Sequence, residues 1–206
     1  EKRVKLLQLT ALSAALLSTS VMAEWSANIG VVSDYHFRGI QQTQSASASA
    51  GVDYENAGFY AGAWTAEVED GLEVDLYGGY GIELDNGLSL GLGYTTYQYT
   101  GDFDSAYNEF NFSAGMGMFS VEYSVGTWDG PVGAEFDADY DFIALSFEKD
   151  GYSATVGSWG KDFEGEYAEL GYGTEVGGFD VGVGLVLSGS DLNDKESLYF
   201  SLGKSF

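Results

Sequence analysis

Few residues in this chain have the makings of chemistry. His36 is the single histidine, and it stands near Ser33 and Asp34, the residue types of a nucleophile and an orienting acid. Nucleophilic catalysis needs those groups within hydrogen-bond reach of one another. Strand neighbours point to opposite faces, so Ser33 and Asp34 diverge, and a rim histidine is the better reading. The chain is therefore not expected to be an enzyme. It has no cysteine, which removes thiolate nucleophiles, thiolate metal sites and disulfides. Asp137, Asp139 and Asp141 carry oxygens suited to calcium but lack the loop geometry of a dedicated site. The run Gly78-Gly79-Tyr80-Gly81 lies inside an alternating strand pattern, so it is not a phosphate loop. No metal and no cofactor are expected.

What remains is charge. The 206 residues hold 32 Asp and Glu against 8 Lys and Arg, a formal net charge of −24. Nothing in such a chain could neutralise phosphates, so nucleic acid is excluded as a partner. Hydrophobic residues make up 45% and aromatic residues 16%, too apolar for a disordered acidic tail. Arg38 is the one arginine beyond the N-terminal segment. On strand parity it shares a face with Asn28, Asp34 and His36. Among so many carboxylates it is expected to be paired, either as a constriction that tunes selectivity or as a salt bridge holding an outer loop. Asp34, Glu73, Asp75, Glu83, Glu109, Glu122 and Asp180 fall on the polar face of their segments. Around water they would make a negative field that favours cations.

The elements that must position these groups are strands. Leu72, Val74, Leu76, Tyr80 and Ile82 alternate with Glu73, Asp75, Tyr77, Gly81 and Glu83, and the same period of two recurs along the chain. Compact turn signals at Asn56-Ala57-Gly58, Asp85-Asn86-Gly87, Lys149-Asp150-Gly151 and Val176-Gly177-Gly178 divide it into hairpins. A further tight connection is expected near Gly117-Met118. Longer, more polar connections are expected near 36–43, 69–70, 100–106, 129–137, 161–165 and 189–195. This predicts about twelve strands, beginning with 24–35 and 44–55, each close to the length that crosses a bilayer at a tilt.

Either face of such a meander could meet water. A soluble sandwich or barrel would leave many glycines on an exposed face with nothing to do, whereas in a lumen they would leave space. Trp25, Phe59, Phe119, Tyr152 and Phe179 open strands, Phe206 closes the last, and Trp64 lies towards the opposite end, among Tyr35, Phe37, Tyr97, Tyr99, Tyr107, Tyr140 and Tyr199. Two aromatic girdles are what a bilayer asks of a barrel. The expected fold is all-β, a transmembrane antiparallel up-and-down β-barrel. Residues 24–206 would form it, after a cleavable signal peptide over 1–23 with Lys2, Arg3 and Lys5 before an apolar run and Ala23 at its end. Trp128 and Trp159 break the outward parity of their strands and suggest bulges or rim positions. Leu198, Phe200 and Leu202 alternate down to Phe206, a closing strand of the kind the barrel-assembly machinery recognises.

The segment from Trp25 to Thr43, with Ser33-Asp34-Tyr35-His36-Phe37-Arg38-Gly39 at its centre, resembles the start of the TorF family of porins. The resemblance continues through Gly51-Val52-Asp53-Tyr54 and Gly58-Phe59-Tyr60-Ala61-Gly62-Ala63-Trp64 and returns at Lys204-Ser205-Phe206. It implies an outer-membrane barrel of Gram-negative bacteria, in contact with outer-membrane lipid and lipopolysaccharide, passing small solutes or ions. The alternative is a closed structural or adhesive barrel without transport.

Overall fold

The computed structural model describes residues 23–133 and 135–206. The leader expected over 1–23 falls, but for Ala23, outside the described residues. The chain runs as β1 (Glu24–Val32), β2 (His36–Phe37), β3 (Ile40–Gln41), β4 (Ser47–Asn56), β5 (Phe59–Glu67), β6 (Leu72–Glu83) and β7 (Leu88–Tyr99). It continues as β8 (Tyr107–Met116), β9 (Phe119–Trp128), β10 (Ala138–Lys149), β11 (Tyr152–Lys161), β12 (Gly165–Val176), β13 (Phe179–Ser188) and β14 (Glu196–Ser205). Twelve of these strands close into one antiparallel barrel, each beside its sequence neighbour, with β14 paired to β1 at the seam. Closure satisfies every edge, the condition for a sheet surrounded by lipid.

The period-two pattern decides which way each side chain points. Leu76, Leu92, Phe110, Ile143, Val156, Leu170 and Phe200 are all exposed on the outer wall. Trp25, Phe59, Phe119, Tyr152, Phe179 and Phe206 are exposed as well, at the end of the barrel that carries both described termini and the tight turns. Those turns are short because Ala57-Gly58, Asp150-Gly151 and Gly177-Gly178 adopt positive φ at both central residues. That conformation matches the twist of paired strands.

The expected strands and the observed ones differ mainly at the start. The sequence pattern extends the first strand to 35, but β1 ends at Val32 and the chain then turns into the barrel, where Tyr35 is buried. The connection expected near 36–43 is not a polar outer loop. It is a small hairpin, β2–β3, folded inside the wall. Its apolar residues explain this, since Phe37 and Ile40 pack against an interior cluster containing Tyr140, Phe142 and Trp159.

The second aromatic girdle also needs correction. Trp64 pairs with Gly51 and Asp75 on the lumen face and its ring lies 5.7 Å from that of Tyr35. Tyr97 and Tyr140 are buried inside, and Tyr99 and Tyr199 bond interior carboxylates. Each has inward parity, which outweighs its position near a strand end. Trp159 is inward too, with unbroken register to Phe142 and Gly165, so there is no bulge there. Trp128 stacks on Tyr107 and donates its indole N–H to Asp104.

The lumen glycines divide into two groups. An added Cβ at Gly79 or Gly93 would strike the Tyr60 phenol, at Gly157 the rings of Tyr167 and Phe142, and at Gly184 the ring of Tyr199. These glycines are seats for aromatic rings, not empty space. A Cβ at Gly91, Gly171 or Gly182 would instead meet first the serine hydroxyls of Ser113, Ser153 and Ser201. The buried aromatic cluster of Tyr140, Phe142 and Trp159 lies towards the longer connections.

Candidate functional site

The β2–β3 hairpin turns at Arg38-Gly39, with φ of 46° and 84°. The Gly39 backbone lies so close to the Tyr167 ring that a Cβ there would collide with it. Positive φ suits glycine or asparagine and disfavours a long side chain. Arginine at such a position is held by what its side chain reaches. Arg38 is 5% exposed. Its Nη1 donates to Glu109 Oε2 at 2.9 Å and its Nη2 to Glu109 Oε1 at 2.9 Å, a two-pronged pair. Nη2 also donates to Glu122 Oε1 at 2.6 Å and to Ser124 Oγ at 3.1 Å. The guanidinium carbon stands 4.2 Å from the Phe142 ring centroid, 4.9 Å from Phe37 and 5.5 Å from Trp159. Carboxylates in the plane and aromatic faces above it are the two ways a guanidinium is recognised.

The opposite wall is built to receive it. Glu109 lies on β8 and Glu122 and Ser124 on β9, in register so that Glu109 pairs with Gly126 and Asn111 with Ser124. Glu109 accepts three further bonds, from the hydroxyls of Tyr97 and Tyr140 and the amide of Asn111. Asn111 in turn donates to Ser124 and accepts from Thr95. These bonds orient the carboxylate through groups that are not on the hairpin. The backbone of the hairpin is held as well, since Trp159 Nε1–H donates to the Arg38 carbonyl and Ser188 Oγ to the Gly39 carbonyl. Tyr35 adds a third anchor, its hydroxyl donating to Glu73 Oε1 at 2.7 Å while Tyr99 donates to Oε2.

Asp75 is the exception in this well-bonded region. It is fully buried, and among the described residues neither carboxylate oxygen has a hydrogen-bond partner. Glu73 and Glu109 lie within electrostatic reach of it.

Of the lumen residues expected from sequence, Arg38, Glu73, Asp75, Glu109 and Glu122 come together around the hairpin. Asp34 sits at the hairpin's base, accepting from Ser33 and from the Gln41 amide. Glu83 lies exposed at the tight-turn mouth, and Asp180 is half-buried near that same end beside Glu175. His36 stacks on Tyr199 at 6.0 Å and makes no hydrogen bond with Ser33 among the described residues. Ser33 Oγ instead serves Asp34 and the Phe200 N–H. Burial pulls the His36 imidazole below its ordinary pKa. Sequence reasoning missed Tyr97, Asn111, Ser124, Tyr140 and Trp159. The available signal was large aromatics on the same parity as Glu109 and Thr95, because a tyrosine on a lumen face needs a partner for its hydroxyl.

Solved structures share the architecture. A KdgM porin superposes with a TM-score of 0.58 at 7% identity, covering 88% of this chain and 98% of that one. A structure from work on the in-meso crystallisation of membrane proteins gives 0.60 at 10% identity, covering 88% of this chain and 83% of that one. At such identities the likeness is one of fold. No curated protein is significantly similar in sequence. A model for a bacterial family of unknown function, Gcw_chp, matches residues 18–140. That match takes in the hairpin, the strands bearing Glu109 and Glu122, and more than half of the chain, and the protein belongs to the Gcw_chp family.

Proposed function

We propose that this barrel is an outer-membrane channel for passive diffusion of small solutes, cation-preferring, with the β2–β3 hairpin as its constriction. The observation that carries this reading is the placement of the hairpin inside the wall, where Arg38 pairs with two carboxylates of the far side. The exposed apolar band suits lipid and lipopolysaccharide, and the alternating β14 ending at Phe206 suits recognition by the assembly machinery. The resemblance to TorF porins and the shared fold of a KdgM porin agree with it. An acidic interior with a single guanidinium favours cations over anions. No step in this function calls on a catalytic residue.

The test is planar-bilayer recording of the full barrel and of a variant in which residues 36–41 are replaced by a short Gly-Ser linker. The expected result is discrete steps, larger in the variant, and a reversal potential in a salt gradient that reports cation preference. A second reading, a closed structural or adhesive barrel, draws on the aromatic packing of Tyr140, Phe142 and Trp159 across the interior. Well-folded variant protein that gives no steps would establish it. Anion preference would overturn the selectivity while leaving the channel.

A further inference from the structure

We propose that the walls around Arg38 form a binding site for a guanidinium-bearing solute, and that Arg38 is its tethered occupant. The guanidinium belongs to a hairpin, and apart from the Phe37 ring beside it the groups that recognise it belong to the barrel wall. Glu109 meets it with both oxygens, Glu122 and Ser124 take the remaining direction, and Phe142 and Trp159 supply ring faces. Tyr97, Tyr140 and Asn111 orient Glu109 through bonds that do not involve the hairpin. When the hairpin swings out, this cage keeps its shape and loses its cation. Two carboxylates aimed at an empty volume would then favour a replacement of the same form.

The fit is specific to a planar fork. Two parallel N–H donors match the two Glu109 oxygens, and a flat cation lies against the Phe142 ring. A compact ammonium or a methylated ammonium offers neither. The cage stands on the geometry alone. That such a solute crosses the membrane here rests on the channel reading above, and it would both open the constriction and occupy its site.

The probe is methylguanidinium, compared with sodium and tetramethylammonium at equal low concentration, on full-length barrel in detergent. In the wild type, trypsin cuts after Arg38 only when the hairpin has left the lumen. Methylguanidinium should speed that cut by the factor one plus concentration over dissociation constant, about tenfold at ten times that constant, measured relative to tryptic cleavage of a free arginine peptide that corrects for its competition in the protease's own guanidinium pocket. Sodium and tetramethylammonium should leave it unchanged. In Arg38→Ala, methylguanidinium should raise the unfolding temperature saturably, and Arg38→Ala with Glu109→Gln should lose the effect. Equal acceleration by all three ions, or none by methylguanidinium, overturns the proposal, and the wild-type cleavage decides it even if Arg38→Ala does not fold. Neither readout requires conduction. A barrel that binds the ion without conducting keeps the cage and loses the channel, and a conducting barrel that ignores the ion does the reverse.

Discussion

Arg38 and Glu109 share an ion pair almost fully removed from water, with side-chain exposures of 5% and 0%. Removing one partner of such a pair leaves the other charge buried and uncompensated, which typically destabilises by about 3–5 kcal/mol. Glu109→Gln keeps the shape of the acceptor and removes its charge. It is expected to release the hairpin, measured as faster tryptic cleavage after Arg38 at unchanged barrel content. Arg38→Lys should be only a partial substitute, because a point charge cannot span both Glu109 oxygens. His36 predicts a pH effect of definite sign. Burial lowers its folded pKa, so the unfolded or released segment binds the proton more tightly. Its contribution to stability is complete above the ordinary imidazole range and is lost as pH falls through the lowered value. Hairpin release should therefore increase on acidification below about pH 6.5. His36→Phe should flatten that part of the profile, and an unchanged profile would remove histidine from the account.

At the level of the strand, small residues on the inner face do two different jobs. Gly184 accommodates the Tyr199 ring, whereas a Cβ at Gly182, two residues earlier, would crowd the Ser201 hydroxyl alone and meet the Tyr172 carbonyl at an ordinary contact distance. Gly184→Ala should overpack the interior, at a cost of about 1–3 kcal/mol. Gly182→Ala should be milder, since a serine hydroxyl can rotate away. Heat-modifiable migration on detergent gels would rank them, and Tyr199→Ala should rescue Gly184→Ala if the ring is the obstacle. These strands show what was legible. Their limits follow from alternation and turn chemistry, and the observed bounds fall within a few residues of the expected ones. Position near a strand end suggests a girdle for Trp64, Tyr97 and Tyr140, but parity decides the face and turns all three inward. The polar residues of 36–43 suggest an outer loop, while Phe37 and Ile40 carry the information that it folds inward. The partner of Arg38 was beyond reach, since nothing local connects position 38 to a carboxylate 71 residues away.

For the molecule as a whole, the charges fall into two populations that salt treats differently. Glu73, Asp75 and Glu109 are buried in the aromatic core, while Glu83 and the connections bearing Asp102 and Asp137 are exposed. The screening length shrinks from about 10 Å at 0.1 M to about 3 Å at 1 M. Cation preference from the exposed groups should therefore decline between those concentrations, read from reversal potentials. The fraction of hairpin released should change little over the same range, read by tryptic cleavage. Parallel decline of both would place the lock in contact with bulk solvent.

The hairpin also dictates an order of events. Its bonds reach 71 residues to Glu109, 121 to Trp159 and 149 to Ser188. Contacts of such separation form late, after much chain has been ordered. The N-terminal segment that carries the hairpin emerges first, yet its seat is not complete until Ser188 on β13 is in the wall. A nearly finished barrel must therefore spend part of its assembly unplugged, with its interior cage open to whatever surrounds it.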